Sequence, residues 1–145
     1  MGNKKMKKRI VVLAFAFLLT ASISGFALAR ASEYFGYTAV YATALDDGEI
    51  LIEYDIDPTH RMLECGAKMI YIYEGYNNKN FKVVDSFHMD DYPDMIQHDT
   101  IIGDGEVTYP GTPGKDYYAL VGVYAKDQYG SETIYFETNL VTARN

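Results

Sequence analysis

The octapeptide EILIEYDI, residues 49–56, alternates along its whole length. Ile50, Ile52, Tyr54 and Ile56 fall on one side, and Glu49, Leu51, Glu53 and Asp55 on the other. A side-chain period of two, apolar against polar, is the pattern of an antiparallel strand with one face in a core and the other in water.

The residues around it follow the same habit, with β-branched and aromatic side chains between short turn clusters. YFGYTAVYATAL (34–45) reads as a first strand broken at Gly36, and DDG (46–48) as a turn. AKMIYIYEGY (67–76) and FKVVDSF (81–87), joined by NNKN, read as a hairpin. DPTHRMLECG (57–66) differs, because Pro58 suits a helix start and Gly66 a helix end; one helical turn or a structured loop is expected there. TII, the turn GDG, the strand EVTY and the turn PGTPG then lead to a second long hairpin, KDYYALVGVYA and ETIYFETNLV around KDQYGS. About seven strands at this spacing, with no long helix, predict an antiparallel β-sandwich. Ile50, Ile52, Tyr54, Val121 and Val123 are expected to meet in its core.

Residues 1–31 read as an address. Lys4, Lys5, Lys7, Lys8 and Arg9 precede the apolar run IVVLAFAFLL, and small residues follow in ALARA. That is the three-part layout of a secretory signal peptide, with cleavage after Ala29 or, preferably, Ala31. The apolar run is shorter than the roughly 18 residues that favour a spanning helix. The expectation is a secreted, extracellular protein: a signal peptide over 1–31 and a single domain over 32–145. TNLVTARN brings no apolar tail, so no stable membrane anchor is expected after cleavage.

The charge divides at the same boundary. Six of the 13 Lys and Arg lie before Ser32 and all 20 Asp and Glu after it, leaving 7 cations against 20 anions, a formal −13. A domain so acidic repels phosphate backbones, so no nucleic-acid partner is expected. Cys65 is the only cysteine, so an intramolecular disulfide is impossible. It reads as a small buried hydrophobe at the edge of an apolar strand rather than as a thiol paired with His60 or His88.

HMDDYPDMIQHD (88–99) gathers four aspartates and two histidines. His88 and His98 lie ten residues apart without the compact spacing of a zinc site. Calcium needs only carboxylates and carbonyls, and Asp90, Asp91 and Asp94 would supply them, but no EF-hand spacing is present. The reading preferred is a solvated acidic crossover between the two sheets, without metal or cofactor, because Asp and Pro favour turns. There is no G-x-S-x-G, P-loop or HExxH, and no pair of carboxylates stands out across a cleft. No catalytic residue is assigned. Tyr118 and Tyr124 fall on the face of their strand opposite Tyr117 and Val121; with Tyr71 and Tyr73 they are candidates for an exposed recognition surface.

YPGTPGKDYYALVGVYAKDQYGSETIYFET (109–138) resembles the last hairpin of fibronectin type III and related immunoglobulin-like domains. In that pattern a Pro-Gly turn precedes a Tyr-rich strand, and a Gly-containing turn leads to the closing strand. Tyr117, with Ala119, Val121 and Val123 on its face, matches the tyrosine corner, whose hydroxyl bonds back to nearby backbone. The resemblance implies an all-β, immunoglobulin/fibronectin-III-like sandwich. The order ASEYFGYTA (31–39), CGAKMIYIYE (65–74), DDYPDM (90–95) and VTYPGTPGKDYYA (107–119) also resembles an uncharacterised family of small exported β-sandwich proteins of anaerobic Gram-positive bacteria. It implies secretion and one sandwich domain, and it carries no site residues to transfer.

The expected role is therefore a non-catalytic extracellular module, a monomer that binds a protein or glycan. A small secreted hydrolase of unrecognised type and a calcium-stabilised surface module are the alternatives.

Overall fold

The computed structural model describes residues 32–145; the expected signal peptide over 1–31 lies outside the described residues. Among the described residues there are nine strands, no α-helix, and two single-turn 3-10 segments. β1 (Phe35–Ala44), β2 (Glu49–Pro58) and β6 (Gly105–Pro110) form one sheet in the order β1-β2-β6. The second sheet contains β3 (Met62–Tyr76), β4 (Lys79–His88), β5 (Ile96–Thr100), β7 (Asp116–Lys126), β8 (Ser131–Glu137) and β9 (Val141–Thr142). Its order is β4-β3-β7-β8, with β5 on β3 and β9 on β7, and every pairing is antiparallel.

EILIEYDI behaves as its period requires. Ile50, Ile52, Tyr54 and Ile56 are buried and meet Ile70, Ile72, Ala119, Val121 and Val123 between the sheets. Each fully buried Ile or Val stabilises the fold by about 1.5–3 kcal/mol relative to exposure. Tyr117 joins them with no exposed surface, and Cys65 lies in the same core. Burial and, behind it, the charge of Asp104 push the Cys65 thiol up to about 11, which keeps it protonated near neutral pH.

Two expectations are corrected. No helical turn occupies 57–66: β2 runs through Pro58 and β3 begins at Met62 and passes straight through Gly66. Gly66 serves a close approach, since a Cβ there would stand 2.1 Å from the carbonyl oxygen of Met95. The acidic segment is not the crossover between sheets. After β4 the chain makes a short excursion and returns as β5 to the same edge of β3, pairing Ile96 with Gly66 and Thr100 with Met62. The passage to the other sheet is made by residues 101–104, so TII is split: Thr100 closes β5, and Ile101 and Ile102 are exposed in the link.

The two sheets are also tied by one side chain. Asn139, between β8 and β9, accepts the N–H of Ala42 at 2.9 Å and donates to its carbonyl at 2.9 Å. The amide thereby stands in for a neighbouring strand at the edge of β1, which otherwise presents unpaired backbone groups.

Candidate functional site

Because β3 and β7 alternate, the side chains between their core residues point away from the sandwich. The register aligns these outward residues in rows across the larger sheet. Val83, Tyr73 and Tyr118 share one row; Ser86, Tyr71, Leu120 and Glu137 the next; His88, Met69, Gly122 and Tyr135 a third. Three of the four tyrosines nominated from sequence therefore stand together as half-buried rings. The Tyr73 and Tyr118 rings stack at 4.7 Å with only 4° between their planes, and Phe81 sets its edge against Tyr118 at 5.0 Å. Tyr71 meets His88 edge-on at 6.0 Å. The Tyr135 hydroxyl lies 3.1 Å from the Met69 sulfur, and its ring crosses Gly122, where a Cβ would stand 2.9 Å from it.

Tyr124 is on this face but is covered rather than offered, with 8% of its surface exposed. The Lys68 ammonium sits 5.4 Å above its ring, and its hydroxyl donates to Glu64 at 3.0 Å. Burial first, and then that carboxylate, push the Tyr124 hydroxyl up to about 12.

Phe81, Leu120 and Glu137 belong to the face and were not singled out from sequence. Leu120 was within reach, since it is two residues from Tyr118 on the same strand. Glu137 was not, because its place opposite Leu120 depends on the register of the closing hairpin.

The acidic segment is held from inside and free outside. Met95 and Ile96 are buried, and the Tyr54 hydroxyl donates to the Met95 carbonyl at 3.2 Å. Asp90, Asp91 and Asp94 are exposed. Among the described residues, no three His, Cys, Asp or Glu side chains gather closely enough to hold a metal ion.

Cys65 is not brought to a histidine that could activate it. His88 faces Tyr71, and His60 lies between Thr59 Oγ1, 2.9 Å from its Nδ1, and Asp127 Oδ2, 3.1 Å from its Nε2. Hydroxyl, imidazole and carboxylate stand in line there, a grouping invisible in sequence because His60 and Asp127 come from different turns. The Thr59 hydroxyl, however, donates to the Glu33 carbonyl at 2.6 Å, so its proton is turned away from the imidazole. Asp127 also accepts the N–H groups of Tyr129 and Gly130 at 2.7 and 2.9 Å, which shapes the β7–β8 turn. The grouping thus joins the entry of β1 to two turns.

The fold and site define the class of protein only as a small antiparallel β-sandwich with one aromatic outer face. No family profile and no curated protein matches the chain. Among solved structures it aligns with a candidate late embryogenesis abundant (LEA) protein solved in solution. The TM-score is 0.47 at 9% identity, over 98% of this chain and 89% of that one. A superposition this loose, with so few identical residues, carries no functional inference.

Proposed function

We propose that the chain is an exported, non-catalytic binding module that engages a protein or glycan through the outer face of its larger sheet. The observation that carries this reading is the contiguous cluster of rings, Phe81, Tyr118 and Tyr73, with Tyr71 and Leu120 in the next row and Tyr135 in the one after it. Tyrosine rings supply large contact area at low entropic cost, and they are set here on strands rather than on mobile loops. Export is supported by the address in residues 1–31 and by the resemblance to small exported sandwich proteins.

A fibronectin type III-like assignment of the sandwich is supported by the strand order, β1-β2-β6 against β4-β3-β7-β8. It is supported too by the Tyr117 hydroxyl, which accepts a backbone N–H five residues upstream.

The test is capture of partners from the native culture by immobilised protein. Tyr73→Leu with Tyr118→Leu should abolish what the wild type retains. The same change at Tyr37 and Tyr41, exposed on the other sheet, should not. Retention unaffected by the first pair of changes would overturn the assignment of this face. Intact mass of the protein in the medium tests export: it should begin at Ser32 or Arg30, and persistence of the lysines at 4–8 would contradict it.

A further inference from the structure

The same outer face presents one pairing of ring and carboxylate twice. At Tyr124 it is filled from within the chain: Lys68 lies over the ring, and Glu64 takes the hydroxyl and pairs with Lys126 at 3.6 Å. Three rows away, Tyr73 and Tyr118 stack beside Leu120 and Glu137, and these four residues line a shallow depression of about 230 Å³. Glu137 has no ion-pair partner among the described residues. Its carboxylate is near enough to Tyr118 to hold that hydroxyl above its ordinary value, after the larger effect of burial.

We infer that this depression takes an arginine side chain of a protein partner, the guanidinium lying on the Tyr73/Tyr118 stack and donating to Glu137. This rests on the reading of the face as a binding surface and narrows it to a basic protein segment. Three features favour that occupant. A stacked tyrosine pair offers the negative face of a π-system to a cation. A planar guanidinium satisfies the ring and a carboxylate together, which an ammonium does less well. The domain around the depression carries 20 acidic against 7 basic residues, a field that draws cationic segments in and repels acidic ones.

The experiment titrates the purified protein with a short acetylated arginine peptide and with its citrulline counterpart, which has nearly the same shape and no charge. Backbone amide shifts and the fitted Kd are read near 0.15 M salt. The arginine peptide should move the signals of Tyr73, Tyr118, Leu120 and Glu137, and the citrulline peptide should leave them in place. Glu137→Gln should weaken binding about threefold or more, and Tyr118→Leu by a similar factor. Glu106→Gln makes the same change of net charge on the other sheet and should have no comparable effect. Equal response to the two peptides, or equal weakening by Glu137→Gln and Glu106→Gln, overturns the inference. So does a neutral oligosaccharide that shifts these signals where the arginine peptide does not. If the arginine peptide fails while Tyr73→Leu with Tyr118→Leu still abolishes capture from culture, the arginine inference falls and the binding face stands. If the arginine peptide fails and capture is unaffected by those changes, the face falls as well.

Discussion

The Tyr117 hydroxyl donates to Glu74 Oε2 at 2.7 Å while accepting the backbone N–H of Thr112 at 2.8 Å. One buried phenol thereby joins β7 to the turn before it and to the end of β3. Tyr117→Phe keeps the ring and its packing but strands the Thr112 N–H and removes a donor from Glu74. Leaving such groups unpaired costs about 1–3 kcal/mol. The urea midpoint should fall accordingly, with an unchanged slope. An unchanged midpoint would show the hydroxyl to be dispensable.

The same contact sets a dependence on acid. The Tyr117 hydroxyl is the largest influence holding the Glu74 carboxyl below its ordinary value, with Lys115 adding to it against some desolvation. Asp116 is likewise held low, by the Asn78 N–H first and the Thr142 hydroxyl second. A carboxyl whose folded pKa is depressed stabilises the fold above its unfolded pKa, and that stability is lost as pH falls through the folded value. Stability should therefore drop below about pH 4, the unperturbed carboxylate range. Glu74→Gln and Asp116→Asn should each flatten the drop, as measured by urea midpoints from pH 7 down to acid. A drop of full size in both variants would place its origin elsewhere.

Asn139 is predicted to matter out of proportion to its exposure. Asn139→Ala removes both bonds to Ala42 and should cost about 1–2 kcal/mol. Asn139→Asp keeps an acceptor for the Ala42 N–H but sets a second oxygen against its carbonyl, so it should not recover the loss. Thermal unfolding of the two variants checks this. Recovery by Asp would mean that only the Ala42 N–H requires a partner.

Val121 lies at the centre of the core with no exposed surface. Val121→Asp buries a charge that has lost its water, which costs several kcal/mol or forces the carboxyl to stay protonated. Circular dichroism should show a protein unfolded, or melting far below the wild type, at neutral pH. A melting temperature near that of the wild type would refute the central position.

For the acidic segment the expected outcome is indifference. Asp91→Asn alters an exposed side chain and should change stability by less than about 0.5 kcal/mol. Millimolar calcium and magnesium at equal ionic strength should raise the melting temperature alike, because each screens a strongly acidic domain. A calcium-selective rise lost in Asp91→Asn would reveal a site, since a ligand that binds only the native state must stabilise it.

The strands were legible wherever a period of two met a buried face. Ile50, Ile52, Tyr54 and Ile56 needed no partner to be assigned, because alternation is a property of the strand alone. The inward face of Tyr117 was legible from the alternation along β7, whereas the bond its hydroxyl makes to the preceding turn was expected only from the resemblance of its hairpin to fibronectin type III domains. The hydrophobic alternation along β7 likewise separated Tyr118 and Tyr124 from the core. What alternation does not report is which outward residue stands beside which, or how far a neighbour covers it. Tyr73 lies against Tyr118, and Glu137 beside Leu120, only through the register of pairs distant in sequence. Tyr124 looked equivalent to Tyr118 and is not, because Lys68 folds over it from a bulge in β3 between Ala67 and Met69. Pro58 and Gly66 imitated the ends of a helix, but tertiary pairing prevailed: β2 and β3 satisfy the backbone groups a helical turn would otherwise have closed. Local side-chain pattern thus determined the class of fold and its buried face, while the juxtapositions that make a site were decided by long-range backbone pairing. Hydrogen bonds between strands set register through atoms every residue shares, and so leave little trace in side-chain identity.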